Sequence, residues 1–219
     1  MLKFLRKALS QIERGNKTTI NSITIRNDGY INCKSVFYTA KDGLNKNTEY
    51  VFSTGINKLE GDIDSGIWAV SYLLSMYKPN NYDFVLFDKA EAQIDTKTVS
   101  LKELKKYACY LDKTNPFYSK YKTVKQMVEN GIKKSKLNIT PEEIRDMFMI
   151  SPDRFERKLS CVGNEVFKAM SAIGYSYGKQ VFCFPWISKM RFDNFHRNVT
   201  DLPEVLQNLK TIIVLPVGC

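Results

Sequence analysis

Gly55-Ile-Asn-Lys-Leu-Glu-Gly-Asp-Ile-Asp-Ser-Gly-Ile-Trp68 sets two glycines between a strand pattern and a helix pattern. Glu49 to Leu59 predicts a strand, and Ala69 to Tyr77 carries apolar residues at helical spacing. Between them lies the loop Gly61-Asp62-Ile63-Asp64-Ser65-Gly66. A phosphate-binding loop sits between such elements. Its glycines let backbone N–H groups point at phosphate, a lysine reaches the terminal phosphates, and a Ser or Thr hydroxyl holds magnesium. Here the glycine spacing is right and the chemistry is not. Ile67 stands where the lysine belongs and Trp68 where the Ser or Thr belongs. Asp62 and Asp64 add negative charge, and a like-charge contact at ~4 Å costs about 1 kcal/mol in water and about 4 kcal/mol near a protein surface. The glycine pair also fits an ordinary turn.

The flanking segments supply context. Leu2, Leu5, Leu9 and Ile12 fall on one face of a basic amphipathic helix, which fits packing on its own domain or lying on lipid. Residues 18–60 read as β-rich: Ile23 and Ile25 alternate with polar residues, Tyr30 to Tyr38 follows, and Asn27-Asp28-Gly29 and Lys41-Asp42-Gly43 mark turns. Asp83 to Phe87 predicts a short buried strand, and helices are expected around Asn115-Pro116. Thr140-Pro141-Glu142-Glu143 is a capping box with proline at the first helical position, and Ser151-Pro152-Asp153 repeats the cap-plus-proline pattern. A helix from Glu165 to Tyr177 stops at Gly178. Val181 to Phe184 is a buried strand, Pro203 to Leu209 a helix and Thr211 to Leu215 a last buried strand. This order predicts an α/β core with a helical subdomain near residues 100–160.

Composition narrows the classes. The chain has 219 residues, 43% of them apolar, enough for one buried core and too many for disorder. Five cysteines without a CxxC pair, beside the single His196, speak against a zinc site, and no metal is expected. The odd cysteine count predicts a reducing compartment. The start has no continuous apolar stretch for a signal peptide, and Val181 to Ile187 is too short to span a bilayer. A cytoplasmic location follows as the expectation, with a peripheral place at the inner face of the cell membrane as its refinement. Net charge is +10, and Lys102 to Lys136 holds ten lysines against Glu103, Asp112 and Glu129. Such a run fits a solvated face, an acidic partner, an anionic membrane surface or nucleic acid.

Further segments carry a resemblance. Tyr107-Ala-Cys-Tyr-Leu-Asp-Lys113 is followed by a helix start at Thr123-Val124, and Arg157 to Glu165 holds Ser160-Cys161-Val162-Gly163-Asn164 ahead of a helix. Gln180-Val-Phe-Cys-Phe-Pro-Trp186 and Lys210-Thr-Ile-Ile-Val-Leu-Pro-Val-Gly218 complete the series. In this order and spacing, from about residue 20 to the end, the chain resembles the ATP-binding cassette of ABC transporters. The resemblance aligns Gly61 to Trp68 with the phosphate loop, Lys113 with the Q-loop glutamine and Ser160 to Asn164 with the signature loop. It sets Pro185 and Trp186 at the magnesium-organising aspartate and catalytic glutamate, and Val217 near the switch histidine. His196 lies well before the last strand and reads as an ordinary surface residue.

The resemblance implies a P-loop NTPase-like α/β fold: an N-terminal antiparallel β region, a mainly parallel core sheet and a helical subdomain, in one cassette over residues 1–219. It implies a degenerate member, a pseudo-ATPase with no catalytic residue and no cofactor of its own. ATP and magnesium would be met only through a partner cassette. Cassettes of this family work as head-to-tail pairs, so the implied partners are a second cassette and a membrane-embedded transporter subunit. In such a pair Ser160 to Asn164 would cover ATP held by an intact partner; the same loop also reads as a cap for the following helix. The lysine-rich segment falls where family members dock onto membrane subunits. Two other readings stay open. One is an ATP-binding subunit whose backbone amides at 61–66 still hold phosphate. The other is a basic nucleic-acid-binding adaptor, which lacks a clustered aromatic platform, so nucleic acid is not the expected partner.

Overall fold

Four parallel strands organise the molecule, three of them buried on both faces and the fourth, at one edge, open to solvent on one side. The computed structural model describes residues 19–27, 32–35, 39–41, 48–62, 67–77, 82–85, 90–190 and 201–218. In chain order the strands are β1 (Ser22–Asn27), β2 (Asn32–Ser35), β3 (Thr39–Lys41), β4 (Thr48–Ser53), β5 (Gly55–Glu60), β6 (Tyr82–Val85), β7 (Ala90–Ile94), β8 (Lys97–Val99), β9 (Ala108–Tyr110), β10 (Val181–Cys183) and β11 (Ile212–Val217). The helices are α1 (Ala69–Ser75), α2 (Leu101–Tyr107), α3 (Val124–Ser135), α4 (Pro141–Met147), α5 (Pro152–Phe155), α6 (Val166–Ser176) and α7 (Asp201–Asn208). The parallel sheet has the order β5-β11-β10-β9, an antiparallel sheet the order β4-β1-β7-β8, and a small antiparallel sheet the order β3-β2-β6.

Side chains alternate along a strand, so each central strand feeds two cores. Ala108, Tyr110, Val181, Cys183, Ile212 and Val214 face α1 and the antiparallel sheet, where Ile23, Ile25, Phe52 and Ala92 are buried. Cys109, Phe182, Ile213, Leu215 and Val217 face a layer of helices carrying Val128, Ile144, Phe155, Ile173 and Leu206. Burial on both faces explains why β10 and β11 read as unbroken apolar runs. Helix α6 lies so close to the sheet that a Cβ on Gly174 would sit 2.8 Å from Cys109 Sγ and 3.1 Å from Phe182 Cε1.

Capping fixes the helix starts. The Thr140 hydroxyl accepts the Glu143 N–H at 3.2 Å while the Glu143 carboxylate accepts the Thr140 N–H at 2.9 Å. Thr123 and Gln126 make the same reciprocal pair at the start of α3. Ser151 precedes α5 as the proline pattern predicts, yet its hydroxyl donates to the Glu165 carboxylate at 3.1 Å and caps nothing.

Two expectations are corrected, and one hairpin is new. The single strand expected over Glu49 to Leu59 is two strands in different sheets. Thr54 N donates to Asn21 O in the antiparallel sheet and Gly55 N to Thr211 O in the parallel one, so pairing switches between adjacent residues. Gly55 makes that possible at φ +99°, and the Asn57 amide braces the corner against Ser53 O and Gly55 O. Around Asn115-Pro116 there are turns, with α2 and α3 to either side. Asp112 accepts the Thr114 N–H and Asn115 the Phe117 N–H, local bonds that compete with a helix. The β7–β8 hairpin was not anticipated, because its Asp95-Thr96 turn lacks the glycine that usually signals one. The N-terminal segment, Asp28-Gly29, Asp42-Gly43, Phe87 and His196 lie outside the described residues.

Burial pushes the Cys109 thiol from its ordinary 9.0 up to about 12, and pushes Cys183 well above its usual range. A raised thiol favours the fold while it is neutral, so this contribution is whole below pH 9.0 and fades as pH climbs towards about 12. Alkylation of the native protein followed by peptide mass mapping is expected to label the exposed Cys161 and spare Cys109 and Cys183 until unfolding. Gly174→Ala is expected to lower stability by about 1–3 kcal/mol, read from the urea midpoint, because both contacts of the added methyl lie in a packed core.

Candidate functional site

All four parallel strands point their carboxyl ends to one edge, and open α/β sheets bind ligands outside that edge. Gly61 and Asp62 follow β5 there, Phe184-Pro185-Trp186 follow β10, Gly218 follows β11, and Leu111 to Lys113 follow β9.

Three of the sequence-predicted positions meet at this edge. Gly61 N donates to Val217 O at 2.9 Å. The carbonyl of the same glycine accepts the Trp186 indole Nε1–H at 3.0 Å. The indole also presses on Gly218, where an added Cβ would lie 2.7 Å from Cζ2. Ile187 N donates to Pro216 O and Gly218 N to Ile187 O, which extends the β10–β11 pairing past the strands themselves. Trp186 therefore ties together the ends of β5, β10 and β11. Helix α1 is fastened to the same place by the Ser71 hydroxyl, which donates to Phe184 O at 2.6 Å.

The remaining positions lie around this knot. Asp62 is exposed and Ile67 half-buried. Ile63, Asp64, Ser65 and Gly66 lie outside the described residues. Trp68 is buried at the start of α1 and meets Tyr72 edge-on at 5.7 Å, part of an aromatic group in which Tyr72 and Tyr77 each pack on Tyr110 at 4.9 Å. Pro185 is half-buried and Lys113 exposed in the turn after β9. The Glu60 carboxyl at the end of β5 is held below its usual range by the Lys58 ammonium hydrogen-bonded to it at 2.7 Å.

Ser160 to Asn164 are not part of the knot. They form two short 3-10 turns, Leu159–Cys161 and Gly163–Glu165, at the head of α6. Ser160, Cys161, Gly163 and Asn164 are exposed, Val162 is fully buried, and Gly163 takes φ +61°. Arg154 holds the loop by donating to the Asn164 side chain and pairing with Glu165 at 3.0 Å. The head of α6 meets the strand ends where Phe167, in its first turn, stacks on Phe184 at 5.5 Å. Ser71, Phe167 and Gly218 were not singled out in the sequence, and a lone serine, phenylalanine or glycine gives no local signal there. Among the described residues, no group of three or more His, Cys, Asp or Glu side chains is placed to hold a metal ion, and no helix is long and apolar enough to cross a membrane.

No protein-family model matches the sequence, and no curated protein matches it. Solved structures match the fold. One is a dimeric ATP-binding cassette in a post-hydrolysis state with ADP and phosphate: TM-score 0.58, 12% identity, covering 90% of this chain and 87% of that one. Another is described as an ABC transporter ATP-binding protein from Pyrococcus furiosus: TM-score 0.57, 13% identity, covering 89% and 90%. A third is an ATP-binding subunit of an ABC transporter: TM-score 0.54, 8% identity, covering 91% and 80%. The chain thus has the fold of an ATP-binding cassette, with its antiparallel sheet, parallel core sheet and helical layer.

Trp186→Phe keeps one six-membered ring but removes the rest of the indole with its N–H, and is expected to cost about 1–3 kcal/mol of stability by denaturant titration. Gly218→Ala is expected to cost about 1–3 kcal/mol, because the methyl and the indole claim the same space.

Proposed function

We propose that the chain is a non-catalytic ABC-type cassette, one half of a pair whose other half is an intact ATPase, serving a transport or export system beside a membrane subunit. On this reading residues 1–219 form one cassette with its helical subdomain over about 100–160, and the chain works in the cytoplasm. The observation that supports it most is Trp186. The resemblance sets this residue where a cassette carries its catalytic carboxylate, and its N–H is engaged by the Gly61 carbonyl.

The donor set does not fit a nucleotide–magnesium complex. Phosphoryl transfer rests on positioning and on charge stabilisation by lysine, magnesium and a carboxylate that orients water. Pro185 and Trp186 offer no carboxylate, Ile67 no positive charge and Val217 no imidazole. No step of hydrolysis is assigned to this chain. What it retains is shape: the cassette fold and a signature-like loop, Ser160 to Asn164, held in place by Arg154 and Glu165. A loop fixed in that way can close over a nucleotide carried by a partner, and one of the structures it resembles is a cassette dimer.

The purified chain is expected to release no phosphate from ATP with magnesium above buffer background and to give no binding heat in isothermal titration. Affinity capture from the native cell is expected to bring down an intact ATP-binding cassette together with a membrane protein. ATP turnover by the chain alone that changes on substituting Trp186 or Asp62 would contradict the proposal.

A further inference from the structure

The edge opposite the site, where the parallel strands begin, gathers five lysines of the run from Lys102 to Lys136 with Lys179 and Lys210. Three helices end there because each feeds a strand: α2 runs into β9, α6 turns at Gly178 into β10, and α7 turns at Lys210 into β11. Helix α3 ends beside them, with Ser135 Oγ donating to Ser176 O at 2.6 Å. Helix carboxyl ends carry partial negative charge and favour lysine in the last turn. Lys105 and Lys106 occupy the last turn of α2, Lys133 and Lys134 that of α3, and Lys136 follows as its cap. Lys179 and Lys210 sit in the turns into β10 and β11.

Direct contacts bring Lys105, Lys106, Lys134 and Lys179 together on one surface. Lys179 Nζ donates to Lys105 O at 2.6 Å and to Lys106 O at 3.2 Å. It also lies 5.6 Å from the Phe117 ring, which packs on Tyr177 at 5.1 Å, and Lys134 Nζ lies 5.5 Å from the Tyr177 ring. Gln180 N donates to Tyr107 O and Ile212 N to Gln180 O, which fixes the neighbouring turns side by side. Two described carboxylates face this edge. Glu103 pairs with Lys106 at 3.9 Å, and Asp95 is engaged by the N–H groups of Asn21 and Ser22. Among the described residues, Lys105, Lys133, Lys134, Lys136 and Lys210 form no ion pair.

We infer that this lysine edge is a docking surface for an anionic lipid bilayer. Seven lysines, with no arginine among the described residues of this edge, make a field of hydrated point charges without the planar fork that reads phosphate geometry, which suits a diffuse negative surface. Phe117 and Tyr177 within it each lie next to one of the chain's own lysines, where a stacking base would have to sit. The edge faces away from the strand ends that meet at Trp186, so lipid contact leaves that side open to a protein partner. The inference deepens the cassette reading and rests on it only in placing the chain beside a membrane.

The test is sedimentation of the whole chain with vesicles of phosphatidylcholine mixed with phosphatidylserine, pure phosphatidylcholine serving as the uncharged control. The chain is expected to bind the anionic vesicles alone and to come off as salt rises. Each lysine near such a surface adds roughly fivefold to partitioning, so Lys105→Gln with Lys106→Gln and Lys134→Gln is expected to weaken binding about a hundredfold. Lys58→Gln with Lys168→Gln and Lys189→Gln removes the same charge elsewhere and is expected to leave binding within a few-fold, circular dichroism verifying that both variants are folded. Equal loss in the two variants, no binding to anionic vesicles, or displacement by a single-stranded RNA whose binding needs the same three lysines would each overturn the inference. Vesicle binding is read on the chain alone, so its failure leaves the ATPase and capture results standing.

Discussion

A parallel sheet must be covered on both faces, because its crossover helices and its apolar strands leave neither face fit for water. The rest of this molecule follows from that constraint. Phe182 and Ile213 demand the helical layer; Val181, Cys183, Ile212 and Val214 demand α1 and the antiparallel sheet. The strands are short, β9 and β10 having three residues each, so strand pairing alone would hold little. Packing from both sides holds them, and Gly174 lets α6 come close enough to do it.

Parallel strands also sort the molecule into two unlike edges. At the carboxyl edge the backbone turns of three strands converge, and an indole fills the convergence. Trp186 bonds to Gly61 and packs on Gly218, so a place where phosphate-binding proteins of this fold gather charge is closed by a neutral ring. At the amino edge the helices end, their carbonyls draw lysine, and positive charge collects far from the indole. Charge and shape are thereby separated across the sheet.

The signature-like loop shows how a side feature is coupled to the centre. Arg154, Asn164 and Glu165 fix the loop, and Glu165 also accepts the N–H and hydroxyl of Ser151 ahead of α5. Phe167 then carries that order to Phe184, the residue whose carbonyl Ser71 holds from α1. The loop, β10 and α1 are therefore one packed unit, although Ser71 and Phe184 are 113 positions apart in the sequence.

Much of this was readable in advance wherever a short-range rule operates. The apolar runs of β10 and β11, the capping box at Thr140 and the stop at Gly178 each depend on a few adjacent residues, and each lies where the pattern places it. The strand before Gly61 and the helix after Trp68 were readable for the same reason. Tertiary structure alone decided the rest. The switch at Thr54 exists because two different sheets compete for neighbouring backbone groups. The bond from Trp186 to Gly61 joins residues 125 positions apart. The lysine edge was visible in part, since five of its seven lysines lie in the run from Lys102 to Lys136; the fold adds Lys179 and Lys210, because α6 and α7 end where the parallel strands begin.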